Sequence, residues 1–131
     1  MRITKDNIDE FIKGSLMDCN NKGITYIDYI PDNISHLYCY NNQLTSLPNL
    51  PESLTHLGCG YNQLTSLPKL LDSLLELNCY NNKLTSLSKL PESLTHLGCY
   101  NNNLPYPITI DNYKEHNKLI KRKEILSKIC V

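Results

Sequence analysis

The sequence predicts an α/β repeat solenoid. Its coils stack so that short strands form a parallel sheet on the concave face. The convex side is extended and polyproline-like, and a short helical cap closes each end. Three observations predict this. Cys19, Cys39, Cys59, Cys79 and Cys99 fall 20 residues apart. Apolar columns keep the same period, with Ile34, Leu54, Leu74 and Leu94 in one and Leu37, Leu57, Leu77 and Leu97 in another. So does a polar column of Asn42, Asn62, Asn82 and Asn102. Self-similarity at a fixed short period is the signature of a solenoid, in which one unit cannot bury its apolar face alone.

The N-terminal cap is assigned to residues 1–14. Ile8, Phe11 and Ile12 are spaced i, i+3, i+4, and Gly14 follows as a stop, so residues 5–13 are expected to form a short helix. The repeats occupy residues 15–107. The first is degenerate: Met17 and Cys19 keep register, but Lys22 stands in the asparagine column and Gly23 follows it. Four clear strand motifs start from Ile34. In residues 36–40 (His-Leu-Tyr-Cys-Tyr) inward Leu37 and Cys39 alternate with outward His36, Tyr38 and Tyr40, the two-residue period of a strand. Prolines 48, 51, 68 and 91 then fix φ and remove backbone donors, which opposes a helix on the return path. The last unit loses register at Pro105-Tyr106-Pro107. Residues 108–131 are assigned to the C-terminal cap, whose helix starts near Asn112 with Glu115 three residues on. Leu119, Leu126, Ile129 and Cys130 give it an apolar stripe.

The complete unit, L-x-x-L-x-C-x-x-N-x-L-T-S-L-P-x-L-P-x-S, is seen in Leu54–Ser73 with Leu71 in place of the second proline. It resembles the leucine-rich repeat, and its 20-residue length with L-P-x-L-P looks most like the short bacterial-type subclass. Secreted effectors of bacterial pathogens use that subclass, some fused to a ubiquitin-ligase domain. Cysteine in the sixth slot, in a chain rich in Asn, Ile, Lys and Tyr, is also similar to leucine-rich-repeat proteins of giant amoebal viruses. The resemblance covers about residues 15–107. It implies a curved sheet that binds on its concave face, and an internal ladder in which the amides of Asn42, Asn62, Asn82 and Asn102 bond backbone groups of neighbouring turns.

Composition narrows function. The chain has 131 residues, enough for one domain, and 13 basic residues balance 13 acidic ones. That balance excludes a globally basic nucleic-acid binder. Residues 24–104 nevertheless carry six acids and three bases, and residues 105–131 six bases and three acids. The basic tail is read as the solvated face of a capping helix. The charged first ten residues lack the apolar core of a secretory signal, and no apolar run is long enough to span a membrane. A reducing, intracellular setting is therefore expected: cytoplasmic, and the host cytoplasm if the chain is viral or effector-derived. The five in-register cysteines are then core residues, because their slot alternates inward with leucine and no short C-x-x-C spacing marks a metal site.

The outward positions carry whatever chemistry there is. His36, His56, Glu76 and His96 share one column, and Tyr38, Tyr40, Tyr80 and Tyr100 stand beside it, interleaved with Gly58, Gly60, Asn78 and Gly98. Tyrosine offers large contact area with a polar tip and little entropic cost, which suits an interface. The glycines are expected to leave a shallow dip that a partner side chain can enter. No nucleophile elbow, P-loop, HExxH or paired carboxylate is present. The sequence therefore points to a non-enzymatic, monomeric module that binds a protein partner through its concave face. The four tyrosines act as anchors and the His/Glu column supplies polar specificity. No cofactor, metal, small-molecule substrate or nucleic acid is expected. Two other readings stand beside it: a metal- or redox-responsive protein using the His column or the Cys stack, and a recognition subunit of a ubiquitin-ligase-type assembly.

Overall fold

The computed structural model describes residues 1–129. In chain order the elements are β1 (Arg2–Ile3), a 3-10 turn (Ile8–Phe11), β2 (Ile12–Lys13) and β3 (Leu16–Asp18). There follow β4 (Tyr26–Ile27), β5 (His36–Tyr38), β6 (His56–Gly58), β7 (Glu76–Asn78), β8 (His96–Gly98) and α1 (Tyr113–Ile129). One six-stranded sheet runs in the order β2-β3-β5-β6-β7-β8. It is parallel from β3 onward, and every step from β5 is in 20-residue register: Leu37 pairs with Leu57, Leu57 with Leu77 and Leu77 with Leu97.

The register follows from burial. Met17, Leu37, Leu57 and Leu77 point inward and are buried, and Cys19, Cys39, Cys59, Cys79 and Cys99 lie beneath them as buried free thiols. Sliding one strand by a residue would exchange this whole set for His and Tyr. A fully buried leucine contributes about 1.5–3 kcal/mol, so each coil holds its neighbours in place. Beyond the strand, Leu44, Leu64 and Leu84 are also fully buried.

The turn after each strand is closed by the asparagine column. Asn62 Nδ2 donates to the carbonyls of Cys39 (2.9 Å), Cys59 (3.1 Å) and Gly60 (3.2 Å), and its Oδ1 accepts from Leu44 N at 3.0 Å. Asn42, Asn82 and Asn102 repeat the pattern. Among the described residues no buried side-chain nitrogen or oxygen is left without a partner.

The N-terminal cap departs from the helix expected over residues 5–13. Only Ile8–Phe11 coil, as a single 3-10 turn, and Ile12 is extended (φ −113°, ψ 132°). β2 pairs antiparallel with β3, Ile12 with Met17 and Lys13 with Leu16. The reason is the open edge of β3, whose backbone groups need partners that a helix cannot supply. Gly14 is accordingly a hairpin residue at φ 63°, a conformation that the two-residue turn requires, rather than a helix stop. On the other side of the coil β1 pairs in parallel with β4. There the Arg2 guanidinium sits 4.4 Å over the Tyr26 ring while its Nε donates to Asp28 at 3.0 Å.

The C-terminal helix forms but docks by another face than its apolar stripe. Tyr113, His116 and Asn117 are its buried residues, whereas Leu119, Leu126 and Ile129 are exposed; Cys130 lies outside the described residues. Polar pairing decides the choice. Asn117 makes two bonds with the backbone of Leu90, Oδ1 accepting from its N–H (2.8 Å) and Nδ2 donating to its carbonyl (2.7 Å). His116 is bonded to the Tyr106 hydroxyl (2.7 Å) and the Ser88 carbonyl (3.2 Å), and Tyr113 Oη donates to Glu92 O at 3.0 Å. At 100° per residue, Leu119, Leu126 and Ile129 fall on the opposite side of the helix.

Both caps open with the same turn. The sequence I-T-x-D-N occurs at residues 3–7 and 108–112. In each copy the Asn side chain accepts from the Thr N–H (2.8 Å in both) and donates to a carbonyl five residues back. Among the described residues no helix is long and apolar enough to cross a membrane.

Candidate functional site

The concave face presents three outward side chains from each coil. Over the five coils these fifteen positions hold two carboxylates, Asp18 and Glu76, and no lysine or arginine.

In the first column the imidazoles of His36 and His56 stack, centroids 4.2 Å apart and 9° from parallel, and His56 Nε2 lies 3.8 Å from Glu76 Oε2. Each ring is oriented by the hydroxyl before it: Ser35 to His36 Nδ1 (2.8 Å), Thr55 to His56 Nδ1 (2.8 Å), Thr95 to His96 Nδ1 (3.0 Å). Thr55 and Thr95 donate their one proton to the carbonyls of Ser35 and Leu75. With that proton on the carbonyl, each oxygen can accept from Nδ1–H, which leaves Nε2 of a neutral ring its lone pair. Stacked rings aim those lone pairs side by side rather than at a common point. Among the described residues no three His, Cys, Asp or Glu side chains are grouped to hold a metal ion.

The tyrosines are brought together by the sheet. Tyr80 and Tyr100 stack at 4.8 Å and 5°, and Tyr40 lies 6.0 Å from Tyr80 at 30°. Tyr38 sits 6.3 Å from Tyr40. The expected glycine dip does not exist, because Tyr40 and Tyr80 fill it. A methyl group on Gly58 would collide with the Tyr40 ring, and one on Gly60 would come within 2.7 Å of Tyr80. Tyr38, Tyr40 and Tyr80 are consequently half-buried, and Tyr100, with no following coil, is 61% exposed. Desolvation raises the Tyr40 phenol well above its ordinary range, helped by Tyr80; Tyr80 is raised by burial and by Tyr100. Tyr38 is raised by burial and by Glu76. All three stay protonated at neutral pH and can donate hydrogen bonds.

The cysteines lie behind the sheet. Burial pushes the Cys59 thiol up to about 12 and Cys99 to about 11, and Cys39 and Cys79 are also raised. A neutral, water-excluded thiol is a poor nucleophile and a poor metal ligand.

One exposed residue escaped the reading of the sequence. The position after each outward tyrosine column is Asn21, Asn41, Asn81 or Asn101 in four coils and Tyr61 in the other. All five adopt left-handed backbone, φ 55° to 56°. Asparagine tolerates that region, but an aromatic residue does so at a cost of about 1 kcal/mol or more. Asn41 donates to Asn21 (2.6 Å) and Asn101 to Asn81 (3.3 Å), an outer asparagine ladder that Tyr61 interrupts. Its ring is 54% exposed and meets Tyr80 edge-on at 5.6 Å. Alignment of the repeats alone marks it, as the single break in an otherwise unvarying column.

No protein-family model matches the chain, and no curated protein matches it. Among solved structures it is similar to YopM from Yersinia enterocolitica WA-314, with 30% identity over 79% of this chain and a TM-score of 0.63. The chain spans 28% of the length of that protein.

Proposed function

We propose that this leucine-rich-repeat solenoid is a protein-interaction module that engages its partner through the concave face. One observation carries the reading: Tyr40, Tyr80 and Tyr100 are held in a stacked column with Tyr100 open to solvent. Rings already fixed by their neighbours lose little freedom on binding, so contact area converts into affinity more efficiently than on a mobile surface. His36, His56, Glu76 and His96 flank the column and supply hydrogen bonds of defined direction. The reading is of recognition rather than catalysis. The five unpaired thiols suit a reducing compartment, which supports action inside a cell.

The test is capture from cell extract by immobilised protein, comparing wild type with the double variant Tyr80→Ala, Tyr100→Ala. Loss of the captured partner at least tenfold, with the thermal unfolding transition retained, is the expected result. Retention of the partner by the double variant would place the binding surface elsewhere.

A further inference from the structure

The fifteen outward positions of the five coils carry Glu76 and Asp18 but no lysine or arginine, with Lys13 beside them on the edge strand β2, and they lie next to the exposed rings of Tyr61 and Tyr100. The electrostatics of this face therefore favour a cation, and its aromatic surface favours a flat, weakly hydrated one. Guanidinium meets both conditions: it stacks on rings and forks onto carboxylates, whereas ammonium is a compact, strongly hydrated charge. The protein already builds this arrangement once. Arg2 lies 4.4 Å over Tyr26 with Asp28 on its Nε, where the N-terminal cap meets the first repeat.

Tyr61 points the same way independently. An asparagine there would relax the left-handed backbone and could join Asn41 to Asn81 along the outer ladder. The tyrosine instead stands edge-on beside the Tyr80–Tyr100 stack with its own ring exposed. A residue held against its backbone preference, exposed, and packed onto the candidate anchors is the mark of selection for contact rather than stability.

Resting on the concave-face reading above, we propose that the partner's recognition element is an arginine-bearing extended segment. One guanidinium lies on the exposed ring of Tyr61, beside the Tyr80–Tyr100 stack, and a second cation pairs with Glu76. Glu76 and Tyr80 are four residues apart along the coil, about 13 Å in extended chain. A segment running along β7 thus presents its two cations about four residues apart.

The probe is a fluorescein-labelled 12-residue Gly/Ser peptide with two arginines four positions apart, beside counterparts carrying lysine or glutamate at those positions. Binding is read by anisotropy. The arginine peptide is expected to bind, the lysine peptide several-fold more weakly and the glutamate peptide not at all. Glu76→Gln should weaken the arginine peptide several-fold and flatten its salt dependence. Tyr61→Asn should raise Tm by a few degrees yet weaken the peptide about tenfold, a combination that a purely structural residue cannot give. Equal binding of the arginine and lysine peptides, no binding at millimolar peptide, or unchanged affinity in Tyr61→Asn would overturn the proposal. If extract capture still depends on Tyr80 and Tyr100 while the arginine peptide fails, the concave face stands and only the cationic partner falls. If capture is also indifferent to those tyrosines, both fall.

Discussion

Asn62 bonds four backbone groups that have no access to water. Replacement by alanine leaves Leu44 N–H buried without an acceptor and three carbonyls under-bonded. The expected loss is about 3 kcal/mol in urea unfolding, with Asn82→Ala behaving alike. The thiols make the opposite point, since they bond little and are kept for shape. Because the folded state holds Cys59 near 12 and Cys99 near 11, it binds those protons more tightly than the unfolded chain does. That stability is full below the ordinary thiol value of about 8.5 and is lost as pH rises through the folded values. The urea midpoint should therefore fall progressively between about pH 8.5 and 12. At pH 8 the five buried thiols should resist a disulfide reagent until denaturant is added; rapid reaction of native protein would show that the coils open.

The elements show where sequence patterns inform and where they mislead. The strands were legible because a two-residue alternation and a 20-residue period agree on the same inward set. The C-terminal helix was legible too, but the form of the N-terminal cap and the docked face of α1 were not, because local apolar spacing says nothing about which backbone groups need covering. Ile8, Phe11 and Ile12 have helical spacing, but the edge of β3 draws Ile12 into a strand. Leu119, Leu126 and Ile129 have it too, but the directional bonds of His116 and Asn117 orient α1. The site was half legible for a related reason. Columns of tyrosine and histidine could be read off, whereas the filling of Gly58 and Gly60 by Tyr40 and Tyr80 depends on rotamers. The helix offers a direct check. Asn117→Ala should cost about 2 kcal/mol and loosen the first turns of α1, while Leu126→Lys should change stability by less than about 0.5 kcal/mol. The reverse ranking in thermal unfolding would mean that the apolar stripe is the docked face after all.

For the molecule as a whole, the invariant register makes one coil interchangeable with the next. Excision of residues 54–73 joins Ser53 to Leu74 with every column intact, so a folded solenoid shorter by about 4.8 Å is expected. Excision of 19 residues instead would send leucines outward, and far-ultraviolet circular dichroism should show no cooperative transition. The asparagine ladder adds a direction to this otherwise repetitive stack. Asn42 bonds Cys19 O and accepts from Lys22 and Ile24, Asn62 reaches back to Cys39 O and Leu44, and Asn102 to Cys79 O and Leu84. Each coil is sealed only by its successor. On a ribosome adding about 5–20 residues per second, a finished turn waits roughly one to four seconds for the amide that closes it. During synthesis the newest coil is thus expected to be the one whose closing amide has yet to arrive, so that the bonds sealing the stack are completed from the N-terminal end.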